Sequence, residues 1–210
     1  MSLLPWAHIA RGHDGLRSTS GTSPRALRIG DLVYQHPNVD AWRLRVPALV
    51  SCHHPQPLVI TRNPRDASRS TSLLNSIALR FALATPRARL RIGLVDPYDG
   101  ASALDALNSR ALADAKLVTF RRPNTIVDWL SEDIHQTTLL VVYHALLEDE
   151  AADDDECTFG FRYSEMTTLV KYLASPECKA LTLLAVDPSD PHHPLMIGLQ
   201  DGSLRSTHVH

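Results

Sequence analysis

The sequence predicts an α/β protein: a doubly wound, mainly parallel β-sheet with helices on both faces and a β-hairpin at the C-terminus. Two observations carry this reading. Residues 58–60, 92–95, 139–142 and 181–186 are short runs, apolar or nearly so, that lack the alternation of a half-exposed strand. Parallel strands covered on both faces have this character. Segments of helical period lie between the runs, and strands alternating with helices build a layered parallel sheet.

Residues 57–100 show the pattern most fully. Leu58, Val59 and Ile60 form a strand closed by Asn63 and Pro64. Ser70 or Thr71 caps a helix whose apolar positions are Leu73, Leu74, Ile77, Leu79 and Phe81, and residues 90–95 form a strand that Asp96 and Pro97 end. Strand, helix and strand of this length make a βαβ crossover, whose first loop is a usual binding place.

The order of these features resembles the P-loop of the FtsK/SpoIIIE-type motor ATPases, including those of type VII secretion. In that family an apolar strand enters GxxxxGK[ST], followed by a Leu-rich helix and a strand ending in Asp-Pro. Here Asn63 and Ser68 stand at the two glycine positions, Arg69 at the lysine and Ser70 at the hydroxyl residue, with Thr71 following. Asp96-Pro97 and Asp99-Gly100 match the end of the family's next strand, and the resemblance spans residues 29 to about 149. It implies a P-loop NTPase-like fold. It also implies that any nucleotide or anion would meet Asn63, Ser68, Arg69, Ser70, Thr71 and Asp96.

The departures from the motif bear on activity. Glycines let a loop press its N–H groups against phosphate, and side chains at Asn63 and Ser68 obstruct that approach. Arginine is a larger, planar substitute for the lysine ammonium. The family's second signature is four apolar residues ending in Asp-Glu, which hold magnesium and orient water. Residues 138–142 supply the apolar run, but Tyr143 and His144 follow it and no acid occurs before Glu148. Neither side chain substitutes for a magnesium carboxylate at neutral pH. The sequence therefore reads as a non-hydrolysing relative with no cofactor; the alternative is an atypical nucleotide-binding ATPase subunit of an FtsK-like motor, with Arg69 and Ser70 on phosphate and Asp96 on magnesium. Its partner would be another protein, such as an active ATPase relative or a larger complex.

Elsewhere the chain divides simply. Residues 1–28 read as a flexible N-terminal arm, since 11–25 are rich in Gly, Ser, Thr and Arg without period. Residues 29–210 read as one α/β domain, with 147–160 as a mobile acidic loop. Within residues 29–50 the alternating run Trp42, Arg43, Leu44, Arg45, Val46 predicts one or two edge strands. Further on, residues 101–115 and a stretch capped by Asn124 read as helices flanking a strand over 116–120. Ser164 caps a helix to Ala174, and residues 195–199 and 204–209 pair as the hairpin around Asp201-Gly202.

Charge is uneven. Arg62, Arg65, Arg69, Arg80, Arg87, Arg89 and Arg91 face the single acid Asp66 between positions 62 and 91, whereas residues 148–156 carry seven acids and no base. The arginines read as a solvated surface or, alternatively, as a basic face for nucleic acid, formed by Arg62, Arg65, Arg87, Arg89 and Arg91. Few aromatics are interleaved, which disfavours a single-strand stacking platform. The formal net charge of −2 gives no global attraction to nucleic acid or membrane.

Other chemistries find little support. The pairs Cys52-His53-His54, His192-His193 and His208-Val209-His210 lack metal-ligand spacing, so no metal site is expected. Asp96, Asp99 and Asp187 end strands, either as an acidic cluster or as turn caps. A G-x-S-x-G elbow is missing, and Cys157 follows an acid run that raises a thiol's pKa. Three cysteines form no framework of pairs and suit a reducing cytoplasm. No apolar run reaches the ~20 residues of a membrane span.

Overall fold

A computed structural model describes residues 26–35, 43–52, 56–61, 67–96, 116–120, 125–132, 136–148, 160–205 and 207–209. The first two strands, β1 (Ala26–Gln35) and β2 (Arg43–Ser51), form an antiparallel pair of their own. β1 begins at Ala26 and Leu27 is buried in the core, so residues 26–28 belong to this sheet rather than to an arm. Residues 1–25 lie outside the described residues.

Six strands make the main sheet: β3 (Leu58–Thr61), β4 (Leu90–Val95), β5 (Lys116–Phe120), β6 (Thr137–Val142), β7 (Leu181–Val186) and β8 (Thr207–Val209). They are ordered β5-β4-β6-β7-β3-β8, and every described pairing is parallel. The four apolar runs are the adjacent strands β4, β6, β7 and β3, as their composition predicts. Successive side chains serve opposite faces. Leu58 and Ile60, with Leu139 and Val141, enter one core layer, whereas Val59, Leu140 and Val142 enter the other.

Helix α1 (Ala67–Ala84) covers the first face, together with Leu27 of β1 and Val50 of β2. Leu74, Ile77, Ala78 and Phe81 form its buried stripe at the spacing i, i+3, i+4, i+7. Each large side chain sealed there contributes roughly 1.5–3 kcal/mol. The helix begins at Ala67, so Ser70 and Thr71 lie within its early turns instead of capping it. It stops before Thr85, whose hydroxyl donates to Phe81 O at 2.8 Å, and Pro86 follows.

The second face carries α2 (Ile126–Glu132), α3 (Tyr163–Ala174) and α4 (Pro194–Gln200). Met166, Leu169, Val170 and Leu173 are the buried stripe of α3. Its cap residue is Arg162, not Ser164: the Arg162 N–H donates to Glu165 Oε2 at 2.9 Å, which draws Tyr163 and Ser164 into the helix.

The expected C-terminal hairpin does not form. Residues 195–199 belong to α4, and β8 pairs in parallel with β3. Pro194 at the start of α4 has its φ preset for a helix and lacks only an N–H that would be unpaired there. Gly202, with φ 74°, turns the chain after the helix.

The acidic stretch is anchored at its base. Leu147 bridges Phe161 in parallel, and Glu148 N donates to Phe161 O at 3.0 Å. Glu148 is half-buried with its carboxylate accepting from Gly160 N, so this acid departs from the expected exposure. Residues 149–159, the proposed helix over 101–115, Asn124, Asp99 and Cys157 lie outside the described residues. No helix among the described residues is long and apolar enough to cross a membrane.

Candidate functional site

The chain leaving β3 enters α1 on one face of the sheet, and the chain leaving β7 enters α4 on the other. β3 and β7 are hydrogen-bonded neighbours, with Thr61 opposite Val186. Connections that diverge from adjacent carboxyl ends open a crevice, the usual ligand position in open α/β sheets.

Residues 62–66, which include Arg62, Asn63 and Arg65, lie outside the described residues. Beyond them the structure places Ser68 and Arg69 exposed in the first turn of α1, Ser70 buried and Thr71 half-buried. The Ser68 carbonyl accepts from Ser72 Oγ at 2.8 Å. No acidic residue lies in that first turn.

The neighbouring strands determine what stands at this edge of the sheet. After Val142 the chain continues between its neighbours: Tyr143 N donates to Val95 O at 3.0 Å and Ala145 N to Ala185 O at 2.9 Å. The Tyr143 side chain turns into the core beneath α1 and is 2 % exposed. Its hydroxyl donates to Asn75 Oδ1 at 2.6 Å. Burial, and secondarily the Asp96 carboxylate, push this phenol well above its ordinary range. It therefore remains neutral at physiological pH, with its proton committed to Asn75.

Among the described residues, the strand-end carboxylates stand two strands apart. Asp96 is half-buried at the end of β4, two strands from Asp187 at the end of β7. That separation is roughly 10 Å at the normal strand spacing. Asp187 Oδ1 accepts from Ser189 N at 2.9 Å and Asp190 Oδ1 from His192 N at 2.9 Å, so both aspartates cap turns. Among the described residues no group of three His, Cys, Asp or Glu is placed to hold a metal ion.

His193 is buried with both ring nitrogens engaged: Nε2 is 2.8 Å from Ala145 O, and Nδ1 accepts from Leu195 N at 3.2 Å. This is a neutral imidazole that caps α4 and fastens it to the chain leaving β6. Burial lowers its pKa, partly offset by the bond to Ala145 and the nearby Asp190.

Of the arginines read as a basic face, Arg62 and Arg65 lie outside the described residues, and one of the others is buried. Arg91 is 1 % exposed, and its guanidinium donates to Thr138 Oγ1 at 3.0 Å and to Trp129 O while lying 4.1 Å from the Trp129 ring centroid. It is thus removed from the proposed basic face: with Trp129 in reach, the strand position following Leu90 points into the second core layer instead of solvent. Arg80 donates to Arg28 O at 3.1 Å. Arg89 is exposed in the short 3-10 turn Arg87–Arg89 before β4. Arg69 and Arg89 therefore lie at opposite ends of the 18-residue helix α1, which is ~27 Å long at the standard rise.

Sequence reasoning found the turn residues and the strand ends but missed Asn75, the burial of Arg91 and the capping role of His193. His193 before Pro194 was the one available local signal, because Pro marks a helix start.

No family model matches the chain, and no curated protein matches it. Among solved structures it is similar to the cytoplasmic domain of the type VII secretion ATPase EccC of Thermomonospora curvata, with TM-score 0.48 and 11% identity over 75% of this chain and 19% of that one. It is also similar to ATPases 2 and 3 of EssC from Geobacillus thermodenitrificans, with TM-score 0.46 and 11% identity over 90% of this chain and 38% of that one. The chain thus spans well under half the length of either.

Proposed function

We propose that this chain is a non-hydrolysing, P-loop-ATPase-like module that serves as a protein-interaction or regulatory subunit. One observation carries the reading. At the end of β6, where the motor family's pattern puts a magnesium carboxylate, Tyr143 is a buried neutral phenol bonded to Asn75. A phenol in that state neither binds a hard cation nor orients water.

The residues present do not suit ATP with magnesium. Side chains at positions 63 and 68 occupy the glycine positions of the motif, Pro64 lacks an N–H donor, and Asp187 is engaged in a turn. The partner in this reading is a protein, such as an active ATPase relative within a larger complex. Burial of Arg91, one of the residues read as a basic face, supports it over a nucleic-acid role.

Thermal unfolding in rising concentrations of ATP and magnesium tests the proposal. A ligand that binds the native state raises its stability progressively. An unchanged midpoint is expected, and a midpoint that climbs with nucleotide would contradict it.

A further inference from the structure

The seven residues of α4 are too few to hold a helix by themselves in water, so the element depends on its cap and its packing. Pro194 has no N–H, and the first donor of the helix, Leu195 N, goes to His193 Nδ1 at 3.2 Å. Because Nδ1 accepts, the proton of the neutral ring sits on Nε2, which donates to Ala145 O at 2.8 Å. One imidazole thus ties the start of α4 to the chain leaving β6. Farther along, a Cβ at Gly198 would lie 3.2 Å from Val170 of α3 and 3.2 Å from Leu204. Leu204 N donates to Gly198 O at 2.8 Å, and Leu195 and Leu204 are both buried.

The neutral ring fits both partners and the imidazolium does not. A second ring proton would sit on Nδ1 and point at the Leu195 N–H, setting donor against donor. The ring is 3 % exposed, so the added charge would also lack water. Relief lies close by, because Pro191 and His192, immediately before it, are exposed. Movement of this short stretch brings the ring to water without separating the strands of the sheet.

The titratable groups around the ring are few. α4 carries none, and the stripe that α3 buries is apolar. Asp187, Asp190 and His192 lie on the loop before it, His144 and Glu148 on the chain leaving β6, and Arg205 beyond Leu204. Of these, the Asp190 carboxylate favours the protonated ring, whereas burial, the larger influence, opposes it.

We infer that His193 is an acid-sensitive latch, whose protonation releases α4 and the following turn to Leu204 while the central sheet stays folded. Released, the ring regains water and its ordinary pKa near 6.5. The open form therefore takes up the proton first, and opening grows as pH falls through 6.5. The segment that leaves uncovers Val170 of α3, so the apolar surface of the second face becomes conditional on pH.

Hydrogen exchange of the full chain, read by mass spectrometry and corrected for the intrinsic pH dependence of amide exchange, tests the latch. Above 6.5, protection of residues 195–204 should be constant. By about pH 5 it should fall roughly ten-fold or more, while residues 90–95 and 139–142 keep theirs. His193→Asn still offers an acceptor to Leu195 N but does not titrate, and should hold protection constant across the range. Asp190→Asn, which can still accept from His192 N, should move the opening to lower pH. Protection of residues 195–204 that ignores pH, or that is lost together with the two strands, would overturn the inference. Opening of His193→Asn at the same pH as the unsubstituted chain would overturn it equally. Should His193→Asn fail to fold, Asp190→Asn decides: a midpoint moved to lower pH supports the latch, and an unmoved one contradicts it.

Discussion

The Tyr143 hydroxyl donates to Asn75 Oδ1 at 2.6 Å, joining the end of β6 to the middle of α1 across 68 residues of sequence. Both side chains are buried, so neither has water to replace its partner. Removing the hydroxyl by Tyr143→Phe leaves the Asn75 oxygen without this donor and should cost about 1–3 kcal/mol. Urea unfolding of Tyr143→Phe, Asn75→Ala and the double variant measures the coupling. Strictly additive losses would show that the bond contributes nothing.

Arg91 acts as a brace between β4 and the last turn of α2. Its guanidinium reaches Trp129 O and Thr138 Oγ1 and lies over the Trp129 ring. Arg91→Met keeps much of the volume but leaves both acceptors without this donor, and should destabilise the fold by roughly 2–4 kcal/mol. Arg91→Lys should recover little, because an ammonium lacks the planar fork that serves both acceptors. Denaturation midpoints, with Trp fluorescence as a local probe, check both expectations.

Gly93 lies beneath the edge-to-face pair Phe120 and Trp129, whose ring centroids are 5.2 Å apart. A Cβ at this position would come within 2.8 Å of Phe120 and 2.9 Å of Trp129. Gly93→Ala should therefore cost about 1–3 kcal/mol through overpacking, read as a lowered thermal midpoint.

Stability should depend on pH through His193. Burial holds its native pKa below the ordinary 6.5, so the imidazole is neutral in the fold. Above 6.5 the native and unfolded forms are both neutral, and its contribution to stability is complete. As pH falls through 6.5 toward the lower native value, the unfolded chain takes up the proton first and stability declines. His193→Asn supplies a non-titrating cap and should flatten this part of the stability profile. A profile identical to that of the unsubstituted chain would assign the slope to other groups.

The central sheet was legible because burial on both faces leaves its mark within each strand. Leu58, Val59 and Ile60 are consecutive apolar residues, and no tertiary knowledge is needed to read them. α4 was misread because the five residues 195–199 are too short and too apolar to show a period. Arg91 looked like a surface residue because a charge beside Leu90 suggests alternation; only Trp129 and Thr138, far away in sequence, explain its burial. At the site, the missing acid after Val142 was visible, but the bond that keeps Tyr143 inward was not. Asn75 is an ordinary helical position until the fold brings β6 beneath it.

Steady-state turnover of ATP with magnesium, by the purified chain and by Arg69→Ala, tests the central claim most directly. With Tyr143 neutral and bonded to Asn75, and the motif's glycine positions held by Asn63 and Ser68, neither protein should release phosphate above background. Turnover at about one per second or faster, abolished by Arg69→Ala, would contradict the account and make Arg69 the phosphate-reaching cation of a working ATPase.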